Sequence, residues 1–307
     1  MTLDPQIASM IGTLDSGFPP VHTMTGAQVR AAIRDRFVPN PNPEPVSHVV
    51  DRRVEVADGI VGVRIYRPES DGPLPILVYS HGGGFVFCDL DSHDGLCRNL
   101  ANSIPAVVVS VDYRLAPEHR WPTAAEDVFA ATRWAAAHAA ELGGDSSRIA
   151  VGGDSAGGNL AAVTTLMARD RDSVDIAAQL LLYPVIAADF DTESYRRYGR
   201  GYYNPRPALQ WYWDQYVPAV EDRQHPYASP LQADLTGLPP AVVVLAGHDP
   251  LRDEGIAYAD ALAAAGTPTT RCSFDGGIHG FMTMPMLDLA HQARREAASS
   301  LGELLRR

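Results

Sequence analysis

The chain has 307 residues, of which 46% are hydrophobic, and this is enough apolar material for one large core. Its formal net charge at pH 7 is −12, which argues against nucleic acid or an anionic membrane surface as a partner. All 25 basic residues are arginines. The absence of lysine excludes Schiff-base, P-loop and serine–lysine chemistry.

The three cysteines, Cys88, Cys97 and Cys272, are widely separated in the sequence. An odd, unclustered set is typical of reduced thiols, so we expect neither a disulfide framework nor a metal site. The first residues, MTLDPQIASM, lack a basic segment followed by an apolar one, and no apolar stretch is long enough to cross a bilayer. The sequence therefore predicts a cytoplasmic protein without integral membrane association.

The first fifty residues predict one or two short helices, one of them N-capped by Thr25, and then a proline-rich link. Residues 52–67 alternate in two halves around Asp58-Gly59, which indicates a β-hairpin. Beyond the hairpin, apolar strands alternate with helices, and this pattern predicts an α/β layered fold with a parallel sheet. The predicted strands are 74–80, 106–112, 148–153, 178–184, 241–246 and 269–274, and the predicted helices are 122–140, 156–169, 250–265 and 286–306.

Residues 187–230 interrupt this alternation with a segment rich in tyrosine, tryptophan and arginine. The segment is too long for a simple connector. We interpret it as an inserted cap over a site, and the alternative is a pair of helices packed on the edge of the sheet. We treat residues 1–307 as one domain.

The stretch GGDSAGG places Ser155 where a predicted strand gives way to a predicted helix. The G-x-S-x-G spacing is that of a nucleophile elbow, in which Gly153 and Gly157 allow the strand and the helix to approach closely. The start of the helix would also supply unpaired N–H groups beside the hydroxyl. The alternative is an ordinary capped glycine turn. We expect Asp154, next to the serine, to act as a cap or to face solvent.

A second glycine run, HGGGF at 81–85, directly follows a predicted strand. Consecutive glycines allow backbone N–H groups to converge on a cavity, as an oxyanion hole requires. A flexible loop or a phosphate-binding loop is the alternative. Against the second, this run lacks both the G-x-G-x-x-G spacing and the lysine of a phosphate-binding loop. His81 and Gly82 open the run, and we expect His81 to orient the loop by a hydrogen bond.

Two later strand ends offer an acid and a base. Asp249 lies in LAGHDPLRDEG, with Asp253 as a less favoured alternative, and His279 lies in FDGGIHGF. The chain order Ser155, Asp249, His279 is that of α/β-hydrolases. We expect His248 to be an ordinary core or surface histidine.

Four motifs in combination resemble the hormone-sensitive-lipase-like family of carboxylesterases. They are HGGGF at 81–85, DYRLAPEHRWPTAAED at 112–127, GDSAGGN at 153–159, and HDPLRDEG with the later HGF. The resemblance covers roughly residues 50–285. It implies an α/β-hydrolase fold, with a mostly parallel sheet of about eight strands flanked by helices and a helical cap formed by residues 1–45 and 187–230.

The resemblance also implies roles for individual residues. Ser155 would be the nucleophile, His279 the base and Asp249 the acid, with oxyanion donors on the backbone of Gly83, Gly84 and Ala156. The residues Asp112, Tyr113 and Arg114 have no chemistry that we can derive, and we assign them a structural role as braces of neighbouring loops.

The implied reaction is hydrolysis of short- to medium-chain esters, with an optimum near an acyl length of about C2–C8, through an acyl-enzyme and without a metal or organic cofactor. The partner would be a small-molecule ester. An amidase, a deacetylase, a lactonase or a narrow sugar- or drug-acetyl esterase would use the same triad, and a non-catalytic small-molecule-binding protein is a further alternative. The resemblance also allows a homodimer through an edge strand, and Cys272 lies in a candidate strand.

Overall fold

The computed structural model describes residues 2–306. The strands are β1 His48–Val56, β2 Gly59–Arg67, β3 Leu74–Ser80, β4 Val107–Asp112, β5 Gly144–Asp154, β6 Ala178–Leu182, β7 Ala241–His248 and β8 Thr269–Ile278. The helices are α1 Pro5–Gly17, α2 Gly26–Arg34, α3 Asp94–Ser103, α4 Thr123–Ala137, α5 Ala156–Asp170, α6 Glu193–Tyr198, α7 Arg206–Tyr216, α8 Arg252–Ala264 and α9 Asp288–Leu304. Short 3₁₀ helices cover Val21–Thr23, Val220–Gln224, Pro230–Gln232 and Phe281–Thr283.

All eight strands form one sheet in the order β1-β2-β4-β3-β5-β6-β7-β8. Strand β2 is antiparallel to both β1 and β4, and the six strands β3 to β8 are parallel to one another. The mostly parallel, eight-stranded sheet is confirmed. Because parallel strands end at the same edge of the sheet, the loops after β3, β5, β7 and β8 are brought together there.

The side chains of each strand alternate between two cores, one on each face of the sheet. In β3, Ile76 and Val78 face the core that helices α4, α5, α7 and α8 cover, whereas Leu77 and Tyr79 face the core that α1, α3 and α9 cover. All seven residues of β3 are buried, as expected for a strand covered on both faces.

Sequence analysis missed α3. Only four of its ten residues are buried, and arginine and asparagine on the remaining turns conceal the apolar stripe in the sequence. The buried residues, Leu96, Cys97, Leu100 and Ala101, have the spacing of one helix face.

The two segments that we predicted as a cap contact each other. The ring of Phe18, at the end of α1, packs edge-on against that of Tyr203, with 5.2 Å between centroids. The backbone N–H of Tyr203 donates to Asp15 Oδ1 at 3.1 Å. The N-terminal segment also joins the core sheet, because Asp4 N donates to the carbonyl of Gly276 in β8 at 3.0 Å. That the two segments act as a cap stays a prediction.

Candidate active site

Ser155 lies at a sharp turn between β5 and α5. Its φ of 56° and ψ of −117° are a strained conformation for a residue with a side chain. The turn requires glycine on both sides: a Cβ on Gly157 would overlap the carbonyl oxygen of Ser80, and a Cβ on Gly153 would overlap the backbone of Gly157. These contacts explain the G-x-S-x-G spacing in steric terms, and they fix the hydroxyl at the carboxyl edge of the sheet.

The fold brings Ser155, His279 and Asp249 into one hydrogen-bonded chain. His279 Nε2 lies 2.8 Å from Ser155 Oγ, and His279 Nδ1 lies 2.7 Å from Asp249 Oδ2. All three residues are buried. The three come from loops separated by 94 and 30 positions in the sequence, namely 155 to 249 and 249 to 279. This is the geometry that a nucleophile, a base and an orienting carboxylate need.

Asp249 is held in place from its other side. Its Oδ1 accepts a hydrogen bond of 2.8 Å from the backbone N–H of Leu251, which leaves Oδ2 for the imidazole. The alternative acid, Asp253, has different partners: its Oδ2 accepts from Ser194 N at 2.7 Å, and its Oδ1 pairs with Arg252. The geometry therefore favours Asp249 over Asp253 as the partner of His279.

The glycine run after β3 faces the same point. Gly83 and Gly84 have φ values of +109° and +58°, and a Cβ on either would overlap its surroundings, the carbonyl of Phe87 for Gly83 and the ring of Tyr212 for Gly84. Within residues 2–306, neither N–H has a hydrogen-bond acceptor. Ala156 is the first residue of α5, where an N–H has no partner within the helix. These three donors are available to an anion.

His81 and Tyr113 support the glycine run from below. His81 Nδ1 lies 2.7 Å from the carbonyl oxygen of Gly82, and the Tyr113 hydroxyl donates to the carbonyl of His81 at 2.8 Å. The two rings are stacked with their centroids 4.3 Å apart. Burial, together with the nearby His93, lowers the pKa of His81 to about 4, so its imidazole is neutral at neutral pH.

The expectation that Asp154 acts as a cap or faces solvent is wrong. Its side chain is buried and accepts hydrogen bonds from the Tyr79 hydroxyl at 2.7 Å and from Gly82 N at 3.0 Å. His93 Nε2 lies 3.2 Å from Asp154 Oδ1. The reason is that the elbow turns Asp154 away from Ser155 and under the glycine run. Sequence analysis did not single out His93. The only sequence feature that points to it is its position shortly after the glycine run.

Another buried carboxylate, that of Glu254, was also missed. Its Oε1 accepts from Ile186 N at 2.7 Å and from Ala187 N at 3.3 Å, which ties α8 to the start of the segment 187–230. Burial raises the pKa of Glu254 well above its usual range, and the charge of Asp249 raises it further. His248, in contrast, is an ordinary core histidine that stacks on Tyr202, as expected.

The braces expected from DYRLAP are present in part. Arg114 forms a bidentate ion pair with the fully buried Asp127, with N–O distances of 2.7 and 2.9 Å. This pair joins the end of β4 to α4, while Tyr113 supports the glycine run.

Two cavities share part of their walls, and the inner one reaches Ser155. The inner one has a volume of about 110 Å³ and lies directly over Ser155 and His279. The outer one has a volume of about 750 Å³ and extends between α1, α2 and the loop after β3. Phe18, Cys88 and Tyr203 line both cavities. Residues from both predicted cap segments therefore contribute walls to the site.

Two further observations concern the chain as a whole. Among residues 2–306, none of the helices combines the length and the apolar character needed to cross a membrane. Cys88, Cys97 and Cys272 are free thiols.

The chain is similar to known proteins in both sequence and fold. Residues 77–283 match the family model described as alpha/beta hydrolase fold. Esterase LipI of Mycobacterium tuberculosis is 42% identical over 83% of this chain and 80% of its own length. Carboxylesterase NlhH of the same organism is 40% identical over 93% of this chain and 90% of its own. The solved structure of a hyperthermophilic esterase from Pyrobaculum calidifontis is 39% identical, with a TM-score of 0.92 over 99% of each chain.

The chain therefore belongs to the alpha/beta hydrolase fold family. Both relatives are esterases at 40% identity or more, and the solved structure, which matches nearly the whole chain, is also that of an esterase. The resemblance to the hormone-sensitive-lipase-like carboxylesterases is therefore also confirmed. Within the family, this protein is a carboxylic ester hydrolase.

Proposed function

We propose that this protein is a serine carboxylesterase that hydrolyses short- to medium-chain esters through Ser155, His279 and Asp249. The observation that carries the proposal is the chain of two short hydrogen bonds from Asp249 through His279 to Ser155. It lies at a strained elbow, opposite backbone N–H groups of the glycine run that have no partner within residues 2–306.

The proposed reaction begins with attack of Ser155 Oγ on the ester carbonyl carbon. His279 Nε2 accepts the hydroxyl proton, and Asp249, bonded to Nδ1–H, holds the tautomer that leaves Nε2 free to accept it. The carbonyl oxygen becomes an anion, which the N–H groups of Gly83, Gly84 and Ala156 bind. Losing one such donor costs about 10²–10³ in rate in comparable enzymes.

Collapse of the tetrahedral intermediate breaks the bond to the alcohol oxygen, and His279 gives that oxygen its proton. The acyl group then remains on Ser155. Water attacks the acyl-enzyme with His279 again as the base, and the acid leaves with Ser155 restored. Each proton taken up by His279 is released within the same half-reaction, so the proposed scheme uses no cofactor.

The inner cavity supports a short arm on the ester. An apolar cavity of about 150 Å³ binds one benzene molecule, so about 110 Å³ holds a group of roughly four heavy atoms. A longer arm has to extend past Phe18 and Tyr203 into the outer cavity. We therefore propose an optimum at short to medium acyl length, with a decline for long-chain, emulsified esters.

A fluorophosphonate probe, followed by mapping of the labelled peptide, tests the proposal. We expect labelling at Ser155, and we expect Ser155→Ala to lose both labelling and hydrolysis of p-nitrophenyl butyrate while keeping its melting temperature. Ser147→Ala, which changes an exposed serine in β5, is the matched control and should behave as wild type. Turnover by Ser155→Ala at the wild-type rate would contradict the assignment.

A panel of esters, amides and lactones separates the alternatives, because all of these reactions pass through an acyl-enzyme. Faster turnover of an amide or lactone than of the matched ester would favour an amidase or lactonase. Binding without turnover of any substrate would favour a binding protein. A homodimer through the edge strand β8 and a cytoplasmic location stay predictions.

A further inference from the structure

Asp154 and His93 form a second buried aspartate–histidine pair beside Ser155, and this pair does not touch the serine hydroxyl. We infer that the pair positions the glycine run 82–84, so that the N–H groups of Gly83 and Gly84 point at the proposed oxyanion. The inference rests on the proposed function, and it assigns positioning roles to Asp154 and His93 rather than roles in bond making or breaking.

The first observation is the direct bond to the glycine run. Asp154 Oδ1 accepts the Gly82 N–H at 3.0 Å, and a Cβ on Gly82 would overlap Asp154 Oδ2. Because the peptide unit is planar, fixing the Gly82 N–H fixes the plane from which Gly83 and Gly84 continue. The carbonyl groups of the run have partners of their own: Gly82 O lies 2.7 Å from His81 Nδ1, and Gly83 O accepts from Val86 N and Phe87 N at 3.0 Å. The bond to Asp154 holds the N–H at the start of the run.

The second observation is that Asp154 and Ser155 are adjacent on the same turn. The bond from Asp154 to Gly82 therefore ties the glycine run directly to the turn that carries the nucleophile. Because one peptide bond joins Asp154 to Ser155, a shift of the turn moves the glycine run together with the nucleophile. This keeps the Ser155 hydroxyl and the N–H donors in register. A misplacement of about 1 Å in such a site costs on the order of 10² in rate.

The third observation is that Asp154 is itself held from two sides. The hydroxyl of Tyr79, which lies in β3, donates to Asp154 Oδ1 at 2.7 Å. His93 Nε2 lies 3.2 and 3.3 Å from the two carboxylate oxygens. His93 Nδ1 lies 3.0 Å from Ser92 Oγ, which in turn bonds the backbone of Asp89. The segment from Gly82 to His93 is thus attached to Asp154 at both its ends.

The charge at Asp154 agrees with this role. Burial alone would raise its pKa, but the nearby His93 and the donated hydrogen bonds lower the pKa below its usual value. The carboxylate is therefore ionised at neutral pH and acts only as an acceptor, as its several donors require.

Asp154→Ala removes the nearer acceptor of the Gly82 N–H, at 3.0 Å, and leaves only His93 Nε2 at 3.4 Å. We expect kcat for p-nitrophenyl butyrate to fall about 10–100-fold with KM within about threefold of wild type, because only the bond to the developing anion weakens. The rate of labelling by the fluorophosphonate probe should fall by a similar factor. A purely structural role would lower the melting temperature without this split between kcat and KM.

Asp154→Asn is the conservative rescue. Its Oδ1 still accepts from Gly82 and Tyr79, and its amide lies within hydrogen-bond distance of His93 Nε2, so we expect kcat within about threefold of wild type. Equal losses in Asp154→Ala and Asp154→Asn would contradict the acceptor argument. If Asp154→Ala does not fold, His93→Ala decides the question: an unchanged kcat and labelling rate would overturn the inference.

The two proposals fail in different ways. Absence of labelling at Ser155 in the wild-type protein would remove the proposed function itself. Wild-type labelling at Ser155, together with wild-type kcat in folded Asp154→Ala, would remove only the positioning role.

Discussion

Two aspartate–histidine pairs lie beside the same inner cavity, and they differ in what the histidine contacts next. In the pair Asp249–His279, the free ring nitrogen lies 2.8 Å from the Ser155 hydroxyl. In the pair Asp154–His93, the second ring nitrogen contacts Ser92, whose hydroxyl is engaged with the backbone of Asp89. Burial and a carboxylate partner are therefore common to both pairs.

The difference shows that an aspartate–histidine pair near a cavity is not by itself evidence of a base. The third partner and its freedom to react decide the role. Ser155 lies on a strained turn facing the cavity, whereas Ser92 lies in a tight turn whose bonds use its hydroxyl. The two pairs can thus be separated by experiment.

Replacing each histidine with alanine gives the largest contrast. We expect His279→Ala to lower kcat/KM for p-nitrophenyl butyrate by about 10⁴-fold or more, since base and nucleophile act as a unit. His93→Ala should lower it only about 3–10-fold, because it weakens a support of Asp154. Steady-state kinetics of the two folded variants measure the contrast, and similar losses in both would contradict it.

Alanine at Gly82 should have the next largest effect. The new Cβ overlaps Asp154 Oδ2 and has to displace either the carboxylate or the glycine run, so we expect about a 10–100-fold fall in kcat. Gly95→Ala is the matched control, because Gly95 is exposed in α3 with nothing within 4 Å of a new Cβ. There we expect unchanged kinetics and a gain of about 0.5 kcal/mol in the free energy of unfolding.

The smallest effect concerns the carboxylates themselves. Glu254, beside the Asp249 loop, has a raised pKa, so its contribution to stability is fully present below its unfolded pKa and is lost as pH rises through the folded pKa. Asp154 has a lowered pKa, so its contribution is present above its unfolded pKa and is lost only as pH falls through the folded pKa.

Glu254→Gln keeps an acceptor for the two backbone N–H groups but has no charge to bury. We expect the free energy of unfolding of the variant, relative to that of wild type, to increase as pH rises from 5 to 8. Urea unfolding at both pH values measures this difference, and a constant difference between the two proteins across the range would disprove it.

The residues proposed for chemistry were predictable because their signals are local. Ser155 is marked by its glycines, the glycine run by its composition, and Asp249 and His279 by their places after two apolar strands. In a parallel sheet the strand ends lie at one edge, so the alternation of strands and helices was sufficient to expect the four loops to meet.

The supporting residues were not predictable in the same way. Asp154 and His93 are 61 positions apart, and nothing in the sequence between them indicates a contact. Glu254 lies in the motif HDPLRDEG, yet its burial and its bonds to Ile186 and Ala187 depend on how α8 packs against the start of the segment 187–230. Helix α3 was missed because its apolar stripe is narrow.

Short-range sterics and strand order were enough to predict the class of fold, the chain order of the proposed nucleophile, acid and base, and the glycines that their turns require. Which buried carboxylate faces which histidine, and where the two cavities share walls at Phe18 and Tyr203, became visible only in the folded chain. Burial and hydrogen-bond partners arise from contacts between distant segments, and no local pattern encodes such contacts.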